Sequence, residues 1–236
     1  MRYPTRSVDQ KWRRLIPSRF PPIDIYERLG SPELARAAID SENRTNPRLL
    51  AREWLVEGSP RVDARSPRLQ NWNHAPFAYK NPEGSTFLDK AFGVMEVADS
   101  VEAALAIAIR RREIFLSRTD EPPTNLDMRM LVTRINGEFA DLTGLPRDAS
   151  QRDRRRIGLE VYNADGCGVL FKCAERPDAT CLAVFDNRVV GTTEQAAHYR
   201  FVWDGRQIRS VYDFSPPGNV IERSALITGA IEQEAA

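Results

Sequence analysis

The chain is short of histidine, cysteine and lysine: two His (His74, His198), three Cys (Cys167, Cys173, Cys181) and four Lys (Lys11, Lys80, Lys90, Lys172) in 236 residues. An odd cysteine count without C-x-x-C spacing builds neither a disulfide framework nor a zinc site, and no metal is expected. Such thiol usage suits a reducing compartment. No window approaches the roughly 18 apolar residues of a membrane span. The opening MRYPTRSVDQKWRRLIP also lacks the apolar core of a secretion signal. The expectation is a soluble, cytoplasmic protein with no membrane partner. Surplus charge of one sign is missing too: 34 basic against 33 acidic residues leave +1, so no global field draws the chain to nucleic acid, which is not expected as a direct partner. Gly-rich phosphate loop, G-x-S-x-G elbow, H-E-x-x-H pair and Ser/His/Asp set are all absent, and no resident cofactor is expected.

What is present suffices for one sizeable core, with 42% hydrophobic residues. The basic residues are nearly all arginine, which reads either as a composition bias or as a need for bidentate anion binding. Residues 1–12 are polar and basic, a flexible arm or the lead-in to a first strand. Pro17, Pro21 and Pro22 hold the next stretch extended, Ser31-Pro32-Glu33 opens a helix to about Ile39, and PRLLAREWLVEG forms a second. Residues 58–89 read as a long irregular segment packed through Trp72, Phe77, Tyr79 and Phe87. A strand in LDMRMLVTRI, a break at Asn136-Gly137, FADLTG, and a helix QRDRRRIGLEVYNADG ending at Gly166 follow; the arginines of that helix read as a solvated face. GVLFKC and TCLAVF are strands, and Asp204-Gly205 turns a hairpin in HYRFVWDGRQIRSVYDF. Helices early and strands late give an α+β class, one mixed domain over 13–215 with a tail at 216–236.

The stretch FGVMEVADSVEAALAIAIRRREIFL, residues 92–116, reads as a strand feeding a long helix. Asp99 and Glu102 form a capping-box variant, so the helix starts near Ser100. Val101, Leu105, Ala108 and Ile109 make its apolar face, with Ala104 on one shoulder, and Ile107 lies about 120° to the side of Val101, on a flank. That flank either widens the buried stripe or faces a cleft. Glu96 stands mid-strand on the face of Val94 and Ala98, opposite Met95 and Val97, where a carboxylate needs a wet face or a partner.

An ordered series of motifs spans about Arg13 to Phe214: RRLIPSRFPPIDIYERLGSPE, NPRL, APFAYKNPEGSTFLDKAFGV, DSVEAALAIAIRRREIFL, EPPTNLDMRMLV, GVLFKCAERPDATCLAVF and YRFVWDGRQI. In this series the chain resembles the RES-domain family, toxins of bacterial toxin-antitoxin pairs with an ADP-ribosyltransferase-like fold. The resemblance implies NAD or a related dinucleotide as substrate, cleavage of its nicotinamide–ribose bond or ADP-ribosyl transfer, and a cognate antitoxin as partner. Such chemistry needs an arginine to hold pyrophosphate and a carboxylate to orient a ribose hydroxyl beside an oxocarbenium-like transition state. The resemblance places the arginine at Arg19, with Arg13 and Arg14 behind it; Arg19 reads equally as a partner of Asp24 or Glu27. It places the cofactor-side pocket at Ser85 and Phe87, where relatives carry Gly-Ser-Arg-Phe and this chain reads Gly84-Ser85-Thr86-Phe87. Relatives carry Tyr at the position of Glu96, Glu at that of Ile107 and Ser at that of Cys173. Two readings follow: Glu96 stands in for the lost helix carboxylate with Cys173 lining the pocket, or the chain keeps the fold and a partner without efficient catalysis.

Overall fold

The computed structural model describes residues 3–18, 67 and 70–229. The two helices expected in 31–57 and the candidate Arg19 lie outside the described residues. In chain order the elements are β1 (Thr5–Pro17), α1 (Asn71–Ala78), β2 (Met95–Ala98), α2 (Val101–Leu116), β3 (Thr124–Asp141) and α3 (Gln151–Asn163). There follow β4 (Gly168–Lys172), β5 (Thr180–Val184), β6 (Val190–Trp203), β7 (Ile208–Asp213), β8 (Asn219–Glu222) and the single turn α4 (Arg223–Leu226). The architecture is the expected mixed α and β arrangement on one eight-stranded sheet.

The sheet order β1-β2-β5-β4-β3 closes on itself, because β3 returns to pair antiparallel with β1 from Thr5↔Ala140 to Pro17↔Met128. β1 meets β2 at the single register pair Arg13↔Ala98, and β3 runs parallel to β4 at Ala140↔Val169 and Asp141↔Leu170. The five strands therefore form a ring, from which β6, β7 and β8 extend off the other edge of β3 as antiparallel neighbours. Residues 5–12 are the first half of β1, which resolves the choice between arm and lead-in in favour of a strand, and residues 219–226 add β8 and α4.

Side-chain alternation sorts the ring into two faces. Val8, Trp12, Met95, Val97, Ile135, Phe139, Leu170, Leu182 and Val184, drawn from all five strands, form one buried cluster that the ring encloses. Ala98, Met128, Met130, Val169, Phe171, Cys181 and Ala183 face outward, against Leu105 and Ala108 of α2 and Ile157 and Val161 of α3. Glu96, between Met95 and Val97, shares this outer face, as its place on the strand predicts. A one-residue slip of β2 would carry the carboxylate into the apolar interior and turn Met95 and Val97 out. Each buried side chain of this size is worth about 1.5–3 kcal/mol, so the register is held firmly.

Four local readings are corrected. The segment at 58–89 is not irregular throughout, because Asn71–Ala78 form α1, and Tyr79 at the end of that helix is exposed rather than packed. Asn136-Gly137 does not break the chain: β3 runs through it, because Asn136 pairs with Asp9 and Gly137 with Val8, so β1 supplies the ladder. Glycine is needed there for close approach, since a Cβ would lie 2.8 Å from Val189 Cγ1. The cap of α2 is Ser100, whose hydroxyl accepts from the Ala103 N–H at 3.3 Å; Asp99 instead accepts from the Thr180 N–H of β5 at 2.8 Å. Its carboxylate is drawn to the strand because β2 and β5 are already paired at Ala98↔Cys181. The helix at 151 ends at Asn163, three residues before Gly166.

Helix α2 crosses the outer face with Ala103, Ala104, Leu105, Ala106, Ala108 and Ile109 buried. Its run of small residues lets the backbone lie close to the sheet. At its far end the buried Glu113 takes a bidentate ion pair from Arg223 (2.8 and 3.1 Å) and accepts from the Ile208 N–H at 3.0 Å, which ties α2 to β7 and α4.

Candidate functional site

The loop before β2 is shaped by its own polar groups. Ser85 closes a turn on Leu88: its hydroxyl accepts from the Leu88 N–H at 2.9 Å and donates to the Leu88 carbonyl at 3.1 Å, while the Ser85 N–H donates to that carbonyl at 2.7 Å. Helix α3 presses on this turn through Gly158, where a Cβ would stand 1.9 Å from the Phe87 carbonyl oxygen. Phe87 itself has no exposed surface and packs edge-on against Phe171 at 5.0 Å. The turn leaves the Thr86 N–H pointing at β2, where it donates to Glu96 Oε1 at 2.9 Å.

The other oxygen of Glu96 takes an ion pair from Arg111 of α2. The carboxylate is well shielded, its side chain 8% exposed, whereas that of Arg111 is 50% exposed. Arg111 stands four residues beyond Ile107, on the same helix face. Ile107 is half-buried and borders two adjoining cavities that share Glu96, Val97, Ile107 and Arg111 as a wall. The flank position therefore faces a cleft.

The larger cavity, about 550 Å³, runs from this wall to the N-terminus of α3 and the end of β4. Arg110, Arg147 and Lys172 line it, and their side chains have no hydrogen bond or ion pair among the described residues. Arg154, also in the lining, holds the 146–149 loop by donating to the carbonyls of Ala149 (3.1 Å) and Arg147 (2.9 Å). Burial lowers its pKa. Cys173 is buried in the lining and its thiol donates to Glu175 Oε2 at 3.4 Å. The neighbouring Cys181 thiol is pushed far up, first by its hydrogen bond with Cys173 and then by burial, and stays protonated. The smaller cavity, about 90 Å³, lies on the other side of the wall and is lined by Arg13, Arg14, Leu15, Met128 and Arg112. Burial pushes the Arg14 guanidinium down to about 10, so it remains a cation at neutral pH.

Of the residues expected from sequence, Glu96, Ile107 and Cys173 thus meet at one cleft. Arg13 and Arg14, placed behind Arg19 in the sequence reading, reach the same wall. Ser85 and Phe87 stand beside the cleft as supports: the serine's hydroxyl is spent on its turn, and the phenylalanine is core. In the 152–156 cluster, Arg152, Arg155 and Arg156 are exposed as expected and Arg154 turns into the cleft. The sequence reading missed Arg110, Arg111, Arg147, Lys172 and the Thr86 N–H. Arg111 had a usable signal, its i+4 spacing from Ile107. The others depend on loops no local pattern places. Among the described residues, no cluster of three or more His, Cys, Asp or Glu could hold a metal ion, and no helix is long and apolar enough to cross a membrane.

Comparison with known proteins gives three findings. The RES domain matches residues 60–204. The uncharacterized protein y4oC of Sinorhizobium fredii (strain NBRC 101917 / NGR234) is 46% identical over 221 residues, covering 93% of this chain and 94% of its own length. Among solved structures, the M. tuberculosis MbcT-MbcA toxin-antitoxin complex aligns with a TM-score of 0.40 at 12% identity, over 81% of this chain and 86% of that one. With the domain model matching more than half of its residues, this chain belongs to the RES-domain family.

Proposed function

We propose that the cleft binds an NAD-type dinucleotide and that Glu96 is the carboxylate that promotes cleavage of its nicotinamide–ribose bond. The observation that carries this reading is the Glu96–Arg111 pair, set between strand and helix on the wall shared by both cavities. The resemblance drawn above has an arginine in the loop position of Thr86 and a glutamate in the helix position of Ile107. Here the cation comes from the helix, at Arg111, and the anion from the strand, at Glu96. Both charges stand on other elements than in that pattern and still meet.

The chemistry follows from what each group can do. A dinucleotide pyrophosphate is a stronger partner for a half-exposed guanidinium than a single carboxylate, because it offers more charged oxygens in bidentate geometry. Arg111 moves to the pyrophosphate, joined by the unpaired Arg110, Arg147 and Lys172. Glu96 keeps the Thr86 N–H on one oxygen and turns the freed one to a ribose hydroxyl. As the bond between C1′ and the nicotinamide nitrogen breaks, the electron pair leaves with nicotinamide and positive charge develops on the ribose, which the carboxylate stabilises. Water, phosphate or a protein nucleophile then takes the ribosyl carbon. A cognate antitoxin covering the cleft belongs to the same reading and rests on the family resemblance.

A second reading has its own observation. Both Glu96 oxygens are engaged and Ile107 offers no polar atom, the arrangement of a cleft that binds without turning over. Titrating NAD into the purified protein while following nicotinamide by chromatography separates the two. Binding with release supports cleavage, binding without release supports the second reading, and absence of binding overturns both.

A further inference from the structure

The turn that joins β4 to β5 is braced by residues close to the end of the chain. Arg176 in the turn donates to the carbonyls of Ala225 and Leu226 in α4, at 2.9 and 3.1 Å. The Glu175 carbonyl accepts from the Thr228 and Gly229 N–H groups at 3.0 and 2.9 Å. Gly229 is seated so closely that a Cβ there would stand 2.1 Å from the Ala174 carbonyl oxygen. The bracing fixes the backbone that presents Glu175, whose half-buried side chain lines the larger cavity. One of its carboxylate oxygens accepts from the Cys173 thiol at 3.4 Å, and the other has no hydrogen bond or ion pair among the described residues.

Three carboxylates line that cavity: Glu96, Asp148 and Glu175. A cation in contact holds a carboxylate in its charged form and makes it a poor proton acceptor. Arg111 does this to Glu96, whose second oxygen is taken by the Thr86 N–H. Asp148 stands on the exposed 146–149 loop, with no hydrogen bond to fix its side chain among the described residues. Glu175 combines a fixed backbone with a free oxygen. It also reaches the cavity from another part of the wall. Glu96 stands opposite Ala183, near one end of β5, whereas Cys173, two residues before Glu175, meets Ala179 just ahead of the other end.

We propose that Glu175 is the general base that takes the proton of the acceptor, a water molecule, as it attacks the ribosyl carbon. The proposal rests on the dinucleotide reading and names the acceptor that reading leaves open. The bond between C1′ and the nicotinamide nitrogen breaks, and the electron pair stays with nicotinamide, which leaves neutral. The water oxygen gives a lone pair to C1′, and one of its protons passes to Glu175, which later returns it to bulk water. The products are ADP-ribose, nicotinamide and one proton. Labour is thereby divided between two carboxylates, with Glu96 stabilising the developing positive charge and Glu175 accepting a proton. An acceptor that is already an anion, such as phosphate, has no need of this base.

The test is single-turnover release of nicotinamide by the full chain, with NAD binding followed by calorimetry. Glu175→Gln should slow release by about 100-fold or more, the usual worth of a positioned base, and leave NAD affinity unchanged. Glu175→Ala should be as slow in water, and sodium azide should restore its rate with ADP-ribosyl azide as the product, because azide attacks without giving up a proton. Azide should not restore Glu96→Gln, where the missing group stabilises charge. Glu175→Gln as fast as wild type overturns the proposal. So do slow Glu175 variants that azide leaves slow or that have lost NAD, the marks of a merely structural turn. An azide-restored loss in Asp148→Ala, with Glu175→Gln still fast, would assign the proton to Asp148. Wild type that releases nicotinamide only when inorganic phosphate is added also overturns the base, and in all these cases the dinucleotide reading stands. Wild type that releases no nicotinamide overturns the cleavage reading and this proposal together.

Discussion

Removing Arg111 is expected to destabilise the protein through the carboxylate it leaves behind. Glu96 is 8% exposed, and after Arg111→Met it would keep one hydrogen bond, from the Thr86 N–H. Breaking a fully buried ion pair from one side costs about 3–5 kcal/mol. Arg111 is half exposed, so water can enter the space it vacates and part of that cost is relieved. An expected loss of about 1–3 kcal/mol follows, equivalent to roughly 2–12 °C in Tm for a chain of this length. In Glu96→Gln the charge is gone and the Thr86 bond can persist, so that variant should lose about 1 kcal/mol. In the double variant no buried charge remains, and the two losses should fall short of their sum by about 1–2 kcal/mol. Urea unfolding of the four proteins, followed by far-ultraviolet circular dichroism at neutral pH, measures the cycle. A coupling below about 0.5 kcal/mol, the usual limit of additivity, would show that the pair is a surface contact and that Glu96 is not held by Arg111.

Other consequences are equally specific. Ile107→Glu would return a carboxylate to the helix within i,i+4 reach of Arg111, and any nicotinamide release should rise by about tenfold or more; an unchanged rate would mean that this flank does not meet the substrate. Gly158→Ala would drive a Cβ into the Phe87 carbonyl, and thermal melts should show a loss of about 1–3 kcal/mol. Burial raises the Asp141 pKa, but hydrogen bonds from the Thr143 hydroxyl and N–H, with Arg6, outweigh it and hold the carboxyl below its ordinary 3.8. Its folded pKa being depressed, its stabilisation is present above 3.8 and is lost as pH falls through the lower folded value. Asp141→Asn should therefore cost about 1 kcal/mol in denaturant melts at neutral pH, and the difference from wild type should shrink on acidification.

The sequence made the strand-to-helix unit at 95–116 legible because periods of two and 3.6 are local properties: Met95 and Val97 do turn inward, and Ile107 does lie on a flank that meets a cleft. The closure of the ring was not legible, since it depends on β1 pairing with β3 across more than a hundred residues, and that same pairing carries Asn136-Gly137 through what reads locally as a break. Glu96 announced that it needed a partner, yet the choice of Arg111 over its neighbours Arg110 and Arg112 is a matter of helix rotation against the sheet. Phe87 carries two readings, a packing residue of the 58–89 segment and a pocket residue implied by the resemblance; α3 presses on that loop at Gly158 and leaves the ring in the core, as the first reading has it.

The central claim is that Glu96 is the group on which dinucleotide cleavage depends, and single-turnover release of nicotinamide from bound NAD, compared between wild type and Glu96→Gln, tests it most directly. Loss of a preorganised electrostatic group of this kind predicts a rate lower by on the order of 100-fold with NAD still bound. A Glu96→Gln protein that releases nicotinamide as fast as wild type would contradict the account.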